Sequence, residues 1–153
     1  MEIKTIDDLL NMDRKGEYEL VRDIDAEGKT VTCLIGDFSG KFNGNGHKIK
    51  NLTIAADIWG DEQTLALFYS MSRAEVRDIF FENLQFDYDV TYYSPRVAVL
   101  AGSCSNSTIT NVNVTVRSSS GEDITLVYDA NDCVMQNNKI VCNGQEVPVA
   151  KYN

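Results

Sequence analysis

The stretch from Phe38 to Ile54 constrains this chain most. It carries Gly40, Gly44 and Gly46, then passes abruptly into the alternation Ile49, Asn51, Leu52, Ile54. Glycine enters positive φ without steric penalty, so clustered glycines write tight turns. The alternation that follows writes a short strand with one buried face. Turn-rich coil followed by a short strand is the pattern of one rung of a β-solenoid. Stacked rungs make a surface rather than a pocket, so binding is expected ahead of catalysis.

The pattern recurs. Ile49 to Ile54 is echoed by Val76, Asp78, Ile79 and Phe81 and by Ile109, Asn111, Val112 and Val114. The offsets are 27 (Ile49 to Val76) and 33 (Val76 to Ile109), and Ile24 lies 25 residues before Ile49. Repeats of that length mark stacked supersecondary units. Leu65, Leu67 and Phe68, then Val97, Val99, Leu100 and Gly102, read as a second strand of each rung. The expected fold is all-β: one short right-handed parallel β-helix over residues 1–153. It divides into a cap at 1–17, rungs at 18–122, and a last rung or hairpin cap at 123–153. Ile49, Leu52, Ile54, Val76, Ile79, Ile109, Val112 and Val114 are assigned to its core. Asn51, Asp78 and Asn111 are assigned one position in successive rungs, where side-chain amides form a ladder. Thr5 or Asp7 is expected to cap a short helix over Ile6–Met12. Asn143-Gly144 is a two-residue hairpin signal.

These residues resemble the GLUG-type β-helix repeat of bacterial proteins. That family writes a short helix, then Tyr-x-Leu-x-x-Asp-Ile-Asp, then a Gly-rich turn and Ile-x-Asn-Leu-x-Ile. The matching parts here are Ile6 to Leu10, Tyr18 to Asp25, and Phe38 to Ile54, with Asn43 where the family often has Asp. Leu67-Phe68 and Leu100-Ala101-Gly102 resemble later family rungs less well. The resemblance implies the β-helix fold, and points to surface proteins, adhesins and non-catalytic regions of IgA-protease-like metallopeptidases. It covers about two-thirds of the chain and is nearly silent on function, which resides in sites rather than folds.

Catalytic constellations are scarce. His47 is the only histidine and sits inside the Gly-rich turn, where it reads as a turn residue rather than a base. The glycines do not fit a phosphate-cradling loop. Asp23, Asp25 and Asp37 match no calcium-loop spacing and read as solvated acids. Asp87 with Asp89, or Glu82 with Asp87, would be the glycosidase pairs of a carbohydrate-active β-helix. No metal and no cofactor is expected. Of the cysteines, Cys33, Cys104, Cys133 and Cys142, no two are spaced as Cys-x-x-Cys. Four free thiols are expected, with a Cys133–Cys142 disulfide as the alternative.

Charge carries the rest. The net charge is −9, which disfavours direct nucleic-acid binding, since that affinity rests on Lys and Arg. No apolar run is long enough to span a membrane. Asp57 to Tyr93 holds eight acids against Arg73 and Arg77. Within it, Phe86, Asp87, Tyr88, Asp89, Tyr92 and Tyr93 interleave acids with aromatics. Together with Glu82 and with Asp57, Trp59, Asp61 and Glu62, they form the expected binding patch. Aromatic anchors supply contact area and the acids steer a basic partner. The leading expectation is a non-catalytic protein-binding or inhibitor protein. It would be encoded by a phage or mobile element and block a basic nucleic-acid-handling enzyme. The first alternative is a cell-surface adhesin or a repeat fragment of a larger secreted protein, and the carbohydrate-active enzyme ranks last. Self-association is a further expectation. The N-terminus has no apolar core, which predicts the bacterial cytoplasm, or the cell surface if the chain is a fragment.

Overall fold

The computed structural model describes residues 1–31, 35–55, 64–88 and 95–152. The order runs β1 (Glu2–Ile3), α1 (Ile6–Leu10), β2 (Glu17–Leu20), β3 (Ile24–Asp25) and β4 (Thr30–Val31). Then come β5 (Ile35–Phe38), β6 (Lys41–Asn43), β7 (Lys48–Lys50), β8 (Thr53–Ala55), β9 (Thr64–Leu65) and β10 (Phe68–Ser72). The long β11 (Glu75–Asp87), β12 (Arg96–Ser105), β13 (Thr108–Ser118) and β14 (Thr125–Asn131) follow. The described chain closes with β15 (Val134–Gln136), β16 (Lys139–Cys142), β17 (Gln145–Val147) and β18 (Ala150–Tyr152).

The fold is all-β and built from parallel strands in two sheets. One sheet follows the path β1-β2-β6-β11-β13-β16-β17, with β3, β4, β7, β8 and β15 paired alongside. The other follows β18-β14-β12-β10-β5, with β9 on β12. Among the described pairs only β16 and β17 run antiparallel, across the expected Asn143-Gly144 turn. Asn143 (φ 50°) and Gly144 (φ 86°) both take the left-handed backbone that a two-residue hairpin needs.

Register explains burial. Ile24 pairs with Ile49, Ile49 with Phe81, Phe81 with Val114 and Val114 with Ile140, and all five are buried. In the second sheet Phe38, Met71, Cys104 and Ala130 form a comparable buried row. Phe38 stacks on Phe68 at 4.5 Å between ring centroids. The eight residues assigned to the core from the sequence are all buried. A fully buried aliphatic or aromatic side chain contributes about 1.5–3 kcal/mol, so these rows dominate stability.

One assignment is corrected. The offsets of 25 and 33 are true register, since Ile24 pairs with Ile49 and Val76 with Ile109. The offset of 27 is not: Ile49 pairs with Phe81, and Val76 pairs with Phe42. The chain writes the same corner twice, so an echo between unlike corners looks like a repeat. The ladder accordingly splits in two. Asn51 Nδ2 donates to Asp25 Oδ1 at 3.0 Å, and Asn83 Nδ2 donates to Asn51 Oδ1 at 2.8 Å. Separately, Asn111 Nδ2 donates to Asp78 Oδ1 at 2.9 Å, and Asn137 Nδ2 donates to Asn111 Oδ1. Asn51, Asn83, Asp78, Asn111 and Asn137 all have φ between 54° and 60°. Asn and Asp tolerate that region because their short polar side chains bond locally.

The Gly-rich turn is longer than its neighbour. Four residues separate β6 from β7, where Asp78 and Ile79 alone occupy the equivalent stretch of β11. Gly44 lies so close to that stretch that a Cβ would sit 2.3 Å from the Asp78 carbonyl oxygen and 2.5 Å from Ile79 Cβ. No side chain fits there.

The ladder makes a stability prediction. Asn111→Ala loses both amide bonds and places a Cβ residue with no local hydrogen bond at positive φ. It is expected to destabilise by about 1–3 kcal/mol. Asn111→Gly keeps the backbone freedom and is expected to lose less. Urea denaturation checks both; two variants as stable as wild type would remove the ladder from the account.

Candidate functional site

Four strand ends lie in one row. Val31 pairs with Ile54, Ile54 with Phe86, and Phe86 with Ser118. From these neighbouring positions the chain leaves the larger sheet. It re-enters through β5, β9, β12 and β14, where Thr64 pairs with Arg96 and Ala98 with Thr125. The connections 56–63, 88–95 and 119–124 therefore depart from adjoining strands and return to adjoining strands. With Asp87 at the departing end of β11, they carry Asp57, Asp61, Glu62, Asp87, Asp89, Glu122 and Asp123, and no Lys or Arg. In sequence these segments and Asp87 hold seven acids; among the described residues Asp87, Glu122 and Asp123 are exposed, with Arg96 at the start of β12 and Arg117 near the end of β13 flanking them. Trp59, Tyr92 and Tyr93 belong to the same connections.

Asp57, Trp59, Asp61, Glu62, Asp89, Tyr92 and Tyr93 lie outside the described residues. Of the remaining patch residues, Asp87 is exposed at the end of β11. Phe86 and Tyr88 are corrected: they are 1% and 6% exposed and belong to the core. Strand parity is the reason. Leu84, Phe86 and Tyr88 point inward while Gln85 and Asp87 point out. Glu82 is also displaced from the corner. It lies five residues back along β11, and its Oε1 is 3.3 Å from Lys48 Nζ, so its charge is matched locally.

Tyr88 instead fastens one connection to the next. Its hydroxyl donates to Glu122 Oε2 at 3.1 Å and accepts from Ser120 Oγ at 2.8 Å. Its amide donates to Ser119 Oγ at 3.1 Å. Burial raises the phenol above its ordinary pKa, the Ser118 and Ser120 hydroxyls oppose that, and Glu122 adds to it. The phenol thus remains a donor to Glu122. Glu122 and Asp123 escaped the sequence reading because they stand some 30 residues beyond the aromatic segment, and only the register joins them to it.

Several acids elsewhere are engaged in structure. Arg77 bridges Glu75 at 3.1 Å and Asp78 at 3.2 Å. His47 Nδ1 lies 3.2 Å from Asp23 Oδ1, which also accepts the Lys48 amide at 3.0 Å. Asp25 accepts from Asn51 Nδ2 and the Glu27 amide, and Asp37 from the Ser70 hydroxyl. Among the described residues no group of three or more His, Cys, Asp or Glu is placed to hold a metal ion. No described helix is long and apolar enough to cross a membrane.

These bonds predict an acid limb. The Lys48 amide, with His47, holds Asp23 below its ordinary value of 3.8. The Asn51 amide does the same for Asp25, and the Lys4 amide for Asp8. Each carboxylate binds its proton less tightly folded than unfolded. Its contribution is therefore complete above the unfolded value and is lost as pH falls through the lower folded value. Stability is expected to decline below about pH 4, and Asp23→Asn to flatten that decline. Urea midpoints across that range check this; identical acid limbs in both proteins would contradict it.

No family model matches the chain, and neither does any curated protein or solved structure.

Proposed function

We propose that the chain is a short right-handed parallel β-helix that acts as a non-catalytic protein-binding module. The parallel register supports the coil, because parallel strands joined by crossovers take the right-handed sense. The Gly-rich turn and the Ile-x-Asn-Leu-x-Ile pattern support a place beside the GLUG-type repeats. On this reading α1, with Thr5 as its N-cap and Asp8 closing the capping box, covers the end of the stack that β1 edges.

The observation that carries the function is the corner. Three segments that follow adjoining strand ends, together with Asp87, carry seven acids in sequence and no base, and of these Asp87, Glu122 and Asp123 are described and exposed. A concentrated field of one sign speeds encounter with an oppositely charged surface. The partner is a protein with a basic face, and a nucleic-acid-handling enzyme has such a face by necessity. On this reading the chain is an inhibitor acting in the bacterial cytoplasm. The resemblance to surface-protein repeats supports the second reading, an adhesin or a segment of one.

Capture of the partner on immobilised protein, followed by kinetic measurement against salt, tests the reading. Association that slows steeply with ionic strength supports it. Association indifferent to salt overturns the electrostatic part. His47→Gln is expected to bind the partner as wild type does, because His47 serves the turn through Asp23. A folded His47→Gln protein that loses activity would assign His47 a chemical role.

A further inference from the structure

Two thiols from different strands meet at one point in the fold. Cys104 lies on β12, beside Met71 of β10 and Ala130 of β14, and is buried. Cys133 lies in the turn between β14 and β15 and is partly exposed. Both are free, and Cys133 Sγ approaches Cys104 Sγ to 2.9 Å. The other described cysteine, Cys142, is placed elsewhere. Its Sγ accepts the Ile124 amide at 3.4 Å and faces the Glu122 carbonyl oxygen. The Cys133–Cys142 disulfide weighed from the sequence is therefore not the pair the fold brings together. Nine residues of sequence separation suggested it, but the strand register carries Cys133 to Cys104 instead.

We propose that Cys104 and Cys133 are an oxidation site, closed to an intramolecular disulfide by a low-molecular-weight disulfide such as oxidised glutathione. The order of events follows from access. Burial, and then the neighbouring Cys133, push the Cys104 thiol up to about 12, so it is neither accessible nor ionised. Cys133 is the thiol that meets solvent. Its thiolate attacks one sulfur of oxidised glutathione, forming a mixed disulfide and releasing one glutathione thiolate. Cys104 then attacks Cys133 Sγ and its proton passes to the departing glutathione sulfur, which leaves as the second glutathione thiol. Two protein thiols are oxidised and one glutathione disulfide is reduced to two thiols, so electrons and protons balance. Proximity drives the second step, since a preset intramolecular pair has a high effective concentration. The bond would staple β12 to the turn after β14, which holds the C-terminal strands on the stack.

The test uses the full chain, equilibrated with oxidised glutathione and with a reduced control, then alkylated and cut with trypsin. The sequence places the four cysteines on separate tryptic peptides: 30–41, 97–117, 118–139 and 140–151. The expected result is loss of two of the four thiols and a linked 97–117/118–139 pair. A rise in thermal midpoint of roughly 5–10 °C, reversed by dithiothreitol, is expected with it. Cys104→Ser should stop at a stable glutathione adduct on Cys133, and Cys133→Ser should leave Cys104 unmodified. A wild-type chain that retains its thiols overturns the proposal. So does one that holds a lasting adduct on Cys133, or that links a different pair of peptides.

Discussion

Phe86→Ala is expected to destabilise the fold by about 3–5 kcal/mol, the range for emptying a buried aromatic site. Phe86 is 1% exposed and pairs with Ile54 on one side and Ser118 on the other. Removing the ring leaves a cavity that parallel backbones on both sides cannot close. Asp87→Asn, one residue further on and exposed, is expected to change stability by less than about 0.5 kcal/mol. The contrast matters because the two residues stood together as one binding patch in the sequence. Urea denaturation of both variants separates them. A Phe86→Ala protein of unchanged stability that fails to bind would return Phe86 to the surface and refute the register of β11.

The second large effect is kinetic. Neutralising Asp57, Asp61, Asp87, Asp89, Glu122 and Asp123 to Asn or Gln is expected to slow association with the partner by roughly 10-fold or more at low salt. The effect should shrink as ionic strength rises, because exposed charges are screened beyond about 8 Å at physiological salt. Glu122→Gln keeps an acceptor for the Tyr88 hydroxyl, so the tie between connections survives the change. Dissociation should change less. A variant whose association rate matches wild type at low salt contradicts the corner as the steering element.

Much of the fold was legible because short-range chemistry wrote it. The alternation from Ile49 to Ile54 marked its buried face, and Asn143-Gly144 marked its hairpin. What failed was register between corners. Asp78 and Asn51 sit in the same local pattern and share positive φ, at 56° and 60°, yet occupy different ladders. No local rule distinguishes them; only the lengths of the intervening turns do. The candidate site was half legible for the same reason. Acid density from Asp57 to Asp89 is visible in composition, whereas Glu122 and Asp123 are brought to the end of β11 only through its pairing with β13. Phe86 and Tyr88 share the inward parity of Leu84, which the alternation of β11 writes in the sequence. Aromatic content suggests a surface patch there, whereas strand alternation places both rings in the core.

Amide hydrogen exchange of the full chain, with and without its captured partner, tests the central claim most directly. Protection concentrated in 56–63, 87–95 and 119–124 is the predicted result, because those segments follow strand ends that pair with one another. Protection confined to the outward faces of β2, β6 and β15, or to the edge strands β17 and β18, would place the binding surface elsewhere and contradict the account.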